Sequence, residues 1–159
     1  MNILFDERLD GELVHRDKAD VLSDLQGAVP SLTLLHREED LRPFECDGLA
    51  AYRVLPMLVA LPETLEQVEG LLKRCHALGV PVVTRGAGTG LSGGALPLEQ
   101  GVLLVMSRFN QIITVDPDAR IARVQPGVRN LAISEAAAPY GLYYAPDPSS
   151  QIACSIGGN

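Results

Sequence analysis

The sequence predicts an α/β fold in which a small parallel βαβ subdomain is followed by part of a second, mainly antiparallel subdomain. Two apolar strand patterns, at 57–61 and 80–84, flank an amphipathic helix pattern at 64–78 with short joints, which is typical of a right-handed βαβ unit. A glycine-rich segment follows the second strand, where ligands of such units bind. Further along, the segment 116–118 reads Asp-Pro-Asp and separates two β-rich runs, as a hairpin turn would.

The first 54 residues are predicted to be a helical and irregular N-terminal segment. The apolar spacing of its first pattern is helical and stops at Pro30, which cannot continue a helix. The expected parts are a helix, a short strand, a charged and solvated stretch and an irregular stretch, at Lys18–Val29, Leu32–Leu35, His36–Leu41 and Leu41–Tyr52.

The pattern from residue 55 to residue 159 is that of a compact domain. Thr64, with Gln67 three residues later, predicts a capping box at the start of the central helix, and Gly79 is suited to end it. The apolar face of that helix is predicted to consist of Leu65, Val68, Leu71, Leu72, Cys75 and Leu78. The later elements are predicted to be three strands, a helix and a last strand, at Val102–Met106, Ile112–Val115, Ala119–Val124, Asn130–Ala138 and Leu142–Ala145.

Composition excludes several classes of protein. The net charge of −7, the 4% of aromatic residues and the lack of a basic patch argue against nucleic-acid binding. No apolar run is long enough to cross a membrane, and the acidic N-terminus is unlike a signal peptide. Three widely separated cysteines, Cys46, Cys75 and Cys154, form neither a disulfide framework nor a zinc motif, which suits a reducing cytoplasm.

The ionisable residues form no catalytic or metal-ligating pattern. The histidines occupy three separate settings, at His15, His36 and His76. Ser149 and Ser150 lack the Gly-x-Ser-x-Gly elbow of a serine nucleophile. The acidic pair at 116–118 is explained by turn chemistry, and Glu45 and Asp47 are expected to have a structural or capping role. The sequence therefore predicts no catalytic residue and no metal ligand in this chain.

The segment Arg85–Gly94 reads Arg-Gly-Ala-Gly-Thr-Gly-Leu-Ser-Gly-Gly and predicts an anion site. Glycine lets main-chain N–H groups approach a ligand, and consecutive amides turned to one side form a concave site for phosphate or pyrophosphate. The alternative is a turn that only reverses the chain. The segment is not a P-loop, since no lysine follows Arg74, and the third position of a dinucleotide fingerprint falls on Leu91. The loop amides, with the hydroxyls of Thr89 and Ser92, are expected to bind the phosphate themselves.

This loop resembles the pyrophosphate loop of the vanillyl-alcohol oxidase type of FAD-binding domain. Gln125–Val128 resembles that family's strand-to-helix corner, and Pro146–Ser150 followed by Cys154–Asn159 resembles the segment that passes the ribityl chain and the flavin ring. The similarity to FAD-carrying large subunits of bacterial glycolate oxidases spans essentially the whole chain. The residues that carry this similarity are Glu45–Leu49, Tyr52, Arg53 and the block 80–98.

The resemblance implies that FAD is the cofactor and that it is held without a covalent bond. Some relatives attach FAD through a histidine in an Arg-x-Gly-Gly-His run, whereas this chain has Thr89 there and no histidine after His76. Arg85 could pair with the pyrophosphate or with a carboxylate such as Asp147. The expected cofactor-binding residues are Arg85, Gly86, Ala87, Gly88, Thr89, Gly90, Leu91, Ser92, Gly93, Pro146, Asp147, Ser149, Ser150, Gly157, Gly158 and Asn159.

The resemblance also implies a flavin-dependent 2-hydroxy-acid oxidoreductase that converts glycolate to glyoxylate. Its expected partners are other glycolate oxidase subunits, including an iron–sulfur subunit, and its expected location is cytoplasmic, or peripheral at the inner membrane through those subunits. The chain is expected to be an N-terminal fragment that is inactive alone, with the catalytic groups in an absent substrate domain. One alternative is a D-lactate or other 2-hydroxy-acid dehydrogenase, and another is a non-catalytic nucleotide-binding or subunit-assembly module.

Overall fold

The computed structural model describes residues 15–158, and within them the predicted α/β order of elements is present. The helices are α1 (Lys18–Ala28), α2 (Glu38–Leu41), α3 (Leu65–Leu78) and α4 (Asn130–Ala137). The strands are β1 (Thr33–Leu35), β2 (Leu58–Leu61), β3 (Val82–Arg85), β4 (Val102–Val105), β5 (Ile112–Asp116) and β6 (Ile121–Val124). None of the helices in this part of the chain has the length and hydropathy that a membrane span needs.

One four-stranded sheet, in the order β1-β2-β4-β3, organises the first two thirds of the chain. The strands β2 and β3 both pair in parallel with β4, so that Ala60 and Thr84 both lie opposite Leu104. β1 pairs antiparallel with β2 at one edge. The parallel βαβ unit is therefore present, but its two strands are not neighbours because β4 lies between them.

Alternate residues of the central strands face two separate apolar clusters, as the two-residue period of a strand requires. Leu58 and Leu104 face a cluster that contains α1 and α3, whereas Val59 and Leu103 face a smaller cluster that contains Leu41. All four residues of β4 are buried. Because α1 packs in the same cluster as α3 and β1 is a strand of the sheet, the segment before residue 55 contributes to this core. The domain boundary at residue 55 stays a prediction.

Helix α3 begins and ends as predicted. The Thr64 side chain accepts from the Gln67 amide while the Gln67 side chain accepts from the Thr64 amide, and Gly79 follows with a left-handed φ of 69°. The predicted apolar face was wrong at two positions, since Leu65 is 59% exposed and Leu72 is 43% exposed. The sheet and α1 pack against only part of the predicted apolar face of α3, so Leu65 and Leu72 stay in contact with solvent.

Two other predictions need correction. The stretch 36–41 contains the short helix α2, and its last residue, Leu41, is buried against the sheet and not solvated. Residues 142–145 form no strand in the described structure. The Tyr144 amide donates its hydrogen bond to the Ser134 hydroxyl, and no neighbouring strand among the described residues pairs with this segment.

The second unit consists of the β5–β6 hairpin and α4. The predicted turn is confirmed, with the Asp116 carboxylate accepting from the Ala119 amide at 2.9 Å. No residue of β5 or β6 is fully buried, and Ile113 and Ile121 are exposed. The hairpin is thus a two-stranded sheet with apolar side chains in contact with solvent.

We expect the stability of the fold to fall at high pH through Cys75. Burial in the α1–α3 core raises the pKa of the Cys75 thiol to about 11, and the nearby Asp24 carboxylate adds to the rise. The unfolded thiol ionises near its ordinary pKa of 9.0. The contribution to stability is therefore complete below that pH and is lost as the pH rises through the folded-state value.

The check is urea unfolding of the wild-type chain and of Cys75→Ala between neutral pH and about pH 10.5. The wild-type chain is expected to lose about 2 kcal/mol more of its unfolding free energy than the variant over that range. Parallel curves for the two proteins would mean that Cys75 is not held as a neutral thiol.

Candidate functional site

The glycine loop leaves the carboxyl end of β3 and lines a cavity of about 410 Å³. A parallel sheet exposes its ligand-binding edge at this end of its strands, so the position agrees with the prediction. The lining residues are small or polar, and none carries a charge: Thr84, Gly86, Ala87, Gly88, Thr89, Gly90, Ser92, Gly94, Ala95, Ser155, Gly157 and Gly158.

The main-chain amides of the loop are available to a ligand. Within residues 15–158, the N–H groups from Gly88 to Gly94 donate to no protein acceptor. Gly88 has a φ of 72°, a left-handed conformation that turns the chain inside the loop and that other residues rarely adopt. At Gly86, an added Cβ would collide with the Ser155 hydroxyl. A pyrophosphate fits this chemistry, since unpaired amides along a glycine-rich turn form an anion site.

Ser155 joins the loop to the second unit of the chain. Its buried hydroxyl oxygen accepts a hydrogen bond from the Ala87 amide at 3.1 Å. Ala87 and Ser155 also form part of a second cavity of about 430 Å³, whose other lining residues include Asn110 and Arg129. Ala87 and Ser155 therefore form a wall that the two cavities share.

The segment that contains Ser155 is fixed by the corner that precedes α4. The Ile156 amide donates to the Val128 carbonyl at 2.9 Å, and the Gly157 amide donates to the Pro126 carbonyl at 2.8 Å. Ser155 itself forms an isolated antiparallel bridge with Arg129. Two segments that are distant in sequence, 125–128 and 154–158, are thereby brought together beside the glycine loop.

Arg85 lies at the base of the loop and outside the cavity lining, with its guanidinium next to Gly88. Its Nη1 donates to the Cys46 carbonyl at 2.6 Å, and its guanidinium carbon lies 5.8 Å from the centre of the Phe44 ring. Burial lowers the pKa of Arg85, and the charge of Asp47 opposes that shift. Of the two partners considered for Arg85, Asp147 forms no salt bridge with it in the described structure.

Glu45 and Asp47 have the structural role expected of them. Asp47 is buried, and its carboxylate accepts the Leu49 amide at 2.9 Å and the Ala95 amide at 3.4 Å. Glu45 pairs with Arg53 at 2.6 Å. These residues form what we call the bracing segment, residues 45–49, which lies beside the glycine loop without lining its cavity.

The expected cofactor-binding residues divide into three groups. The residues that line the loop cavity are Gly86, Ala87, Gly88, Thr89, Gly90, Ser92, Gly157 and Gly158. Those that do not line it are Arg85, Leu91, Gly93, Pro146, Asp147, Ser149 and Ser150, of which Leu91 is 73% exposed. Asn159 lies outside the described residues. The loop 146–150 instead packs against α4, with the Pro146 carbonyl accepting from the Asn130 amide group at 3.2 Å.

Four residues of the cavity lining were not among the expected cofactor-binding residues: Thr84, Gly94, Ala95 and Ser155. Gly94 is the last residue of the predicted loop and Ala95 follows it, so a list that ran two positions further would have included both. Ser155 belongs to the segment Cys154–Asn159 of the family resemblance, but its contact with the glycine loop spans 68 positions of sequence and has no local signal. In the part of the chain that the structure describes, no group of three or more His, Cys, Asp or Glu residues could hold a metal ion.

Comparison with known proteins agrees with this geometry. Residues 56–159 match the FAD binding domain family. The chain belongs to this family. FAD is accordingly the cofactor of the domain, as predicted. The chain is 66% identical over 159 residues to the glycolate oxidase subunit GlcD of Escherichia coli K12, which is all of this chain and 32% of that protein.

More distant proteins share parts of the chain or its fold. The D-lactate dehydrogenase of Archaeoglobus fulgidus is 38% identical over 64% of this chain and 22% of its own length. The solved structure of an alkyldihydroxyacetonephosphate synthase superposes with a TM-score of 0.72 at 23% identity, covering 90% of this chain and 29% of that one. The predicted fold class is confirmed. All of this chain matches the glycolate oxidase subunit, but it spans only about a third of the length of that subunit.

Proposed function

We propose that the protein is the FAD-carrying part of a 2-hydroxy-acid oxidoreductase with glycolate as its substrate, and that this chain supplies the pyrophosphate-binding part of the flavin site. The observation that carries the proposal is the 66% identity to a glycolate oxidase subunit, which extends over every residue of this chain. The position of the glycine loop at the carboxyl edge of the parallel sheet supports it.

The chain would bind the pyrophosphate through dipoles and not through charged side chains. No lining residue of the loop cavity is charged, so the N–H groups from Gly88 to Gly94 and the hydroxyls of Thr89 and Ser92 are the available donors. Ser155 keeps Ala87 in place through its hydrogen bond, and its hydroxyl hydrogen is free to donate to a ligand. Binding of this kind depends less on salt concentration than binding by lysine or arginine would.

Bound FAD supplies the acceptor for the hydride that leaves the hydroxyl-bearing carbon of the substrate, which becomes a 2-oxo acid. The cavity lining contains no carboxylate, imidazole or amine that could take the hydroxyl proton. Substrate-binding and proton-accepting groups are therefore proposed to belong to the part of the longer relatives that this chain does not span. The loop 146–150 is proposed to pass the ribityl chain and flavin, together with Gly157, Gly158 and Asn159.

The flavin is proposed to be held without a covalent bond. Thr89 lies in the cavity lining and has no side-chain group of the kind that forms a histidyl link. Unfolding the loaded protein in denaturant and filtering it should therefore release all of the flavin into the filtrate. Subunit partners, an iron–sulfur subunit among them, and a location in the cytoplasm or at the inner membrane are proposed on the same likeness to glycolate oxidase.

The first test is a titration of the 159-residue chain with FAD, followed by flavin fluorescence. Saturable binding that changes little between low and moderate salt is expected. Absence of binding both in this chain and in a longer chain of the same protein would contradict the proposed flavin site. Absence in this chain alone would show that residues after Asn159 complete the site, as expected for a nucleotide-binding part of a larger protein.

The second test decides the substrate on the longest available form of the protein loaded with FAD. Bleaching of the flavin absorption under anaerobic conditions is followed with glycolate, D-lactate and D-2-hydroxyglutarate. The fastest bleaching is expected with glycolate. The identity to a D-lactate dehydrogenase supports D-lactate as the second candidate. Faster bleaching with D-lactate than with glycolate would mean that D-lactate is the substrate.

A further inference from the structure

The bracing segment, residues 45–49, touches the middle of the glycine loop. A Cβ added at Gly48 would lie 2.7 Å from the Thr89 carbonyl oxygen and 2.8 Å from the Gly90 carbonyl oxygen. The Thr89 and Gly90 peptides therefore pack directly against Gly48. A larger residue at position 48 has no room unless these peptides move. The segment thus limits where the middle of the loop can lie.

The same segment holds both ends of the loop. At the start of the loop, Arg85 donates to the Cys46 carbonyl at 2.6 Å. At its end, the Ala95 amide donates to the Asp47 carboxylate, whose other oxygen accepts the Leu49 amide. A loop rich in glycine is otherwise free to adopt many conformations. Three contacts, at the start, the middle and the end, limit the conformations that this loop can adopt.

We propose that the bracing segment positions the glycine loop for its anionic ligand, with Gly48 and Asp47 as positioning residues. This inference rests on the proposed function, in which the ligand is the pyrophosphate of FAD. Its physical basis is preorganisation: a loop whose conformation is already restricted loses less conformational freedom on binding. The residues act through the loop and touch no cofactor atom themselves.

Gly48→Ala is the direct test. The atoms that the new methyl group would meet are backbone atoms of Thr89 and Gly90, and no flexible side-chain tip is there to move aside. The variant can therefore form only if the loop backbone shifts. We expect the dissociation constant for FAD to rise by about ten- to a hundredfold. In amide NMR spectra of the ligand-free chain, the resonances of residues 86–95 should shift while those of β5 and β6 stay in place. Gly27→Ala is the matched control, since a Cβ there meets nothing within 4 Å.

Asp47→Asn provides a second test if Gly48→Ala does not fold. It keeps one acceptor oxygen but can lose the bond to the Ala95 amide. The removal of a negative charge would by itself favour an anionic ligand. Weaker FAD binding by this variant would thus report on the lost positioning contact, and tighter binding would overturn the proposal. Glu69→Gln is the control, since its carboxylate pairs with Lys73 on the exposed side of α3 and not with the loop.

The remaining outcomes separate the two proposals. Loop resonances unchanged in Gly48→Ala, or shifted without any loss of FAD affinity, would overturn the positioning role. A wild-type chain that binds no FAD in any available length would overturn the proposed function. In that case the loop resonances of Gly48→Ala would still decide whether the bracing segment fixes the loop.

Discussion

Gly88→Ala is expected to weaken FAD binding by about ten- to a hundredfold. A backbone strain of about 1–3 kcal/mol in the binding loop would raise the dissociation constant by this factor. Gly88 has a φ of 72°, and a Cβ on it would collide with the guanidinium of Arg85. The loop can relieve this collision only by changing the direction of its amides or by releasing Arg85 from Cys46. The measurement is the FAD dissociation constant from a fluorescence titration. Gly88→Val should weaken binding further.

Gly79→Ala is the matched control for this experiment. Gly79 has almost the same φ, 69°, but a Cβ on it meets nothing within 4 Å, and the residue ends α3 far from the cavity lining. The variant should lose about 1 kcal/mol of unfolding free energy and keep the FAD affinity of the wild-type chain. Equal losses of affinity in the two variants would mean that general destabilisation, and not the loop, controls binding.

Leu71→Ala should produce the largest loss of stability among simple truncations on α3. The Leu71 side chain is fully buried between the helix and the sheet. Its removal is expected to lower the unfolding free energy by about 2–5 kcal/mol, which combines the lost transfer free energy with the cost of the cavity. Urea unfolding followed by circular dichroism would measure the change.

Leu72→Ala, one residue later on the same helix, provides the comparison. Leu72 is 43% exposed and lies outside the buried core. The same truncation should therefore cost well under half as much, because less apolar surface leaves its packed environment. If both variants lost the same free energy, α3 would pack on a wider face than the structure describes.

This pair of leucines also shows how far the sequence can predict the structure. The period of apolar residues identified α3, and the residues at its two ends identified its caps. Both signals depend only on neighbours within about four positions of sequence. The same pattern could not separate Leu71 from Leu72, since their burial depends on where the sheet and α1 contact the helix. Local chemistry determines that a helix forms, whereas its buried stripe is set by elements that are distant in sequence.

The candidate site follows the same division. The glycines of the loop, and its place after a strand of a βαβ unit, were evident from a few consecutive residues. The contacts that shape the loop were not, because Ser155 and Gly48 reach it from segments that lie about seventy and forty positions away. Arg85 carried the charge that suggested a phosphate partner, but its guanidinium contacts the Cys46 carbonyl of the bracing segment and the ring of Phe44, the residue just before that segment.

The position of β4 between β2 and β3 has a consequence for the order in which the chain is made. Synthesis on the ribosome begins at the N-terminus, so β2, α3 and β3 leave the exit tunnel before the strand that pairs with both of them. Until Val105 has emerged, β2 and β3 each expose the hydrogen-bonding edge that will pair with β4. During that interval the nascent chain offers the unpaired edges on which aggregation begins, and its exposure to chaperones and to other nascent chains is therefore greatest just before β4 is released.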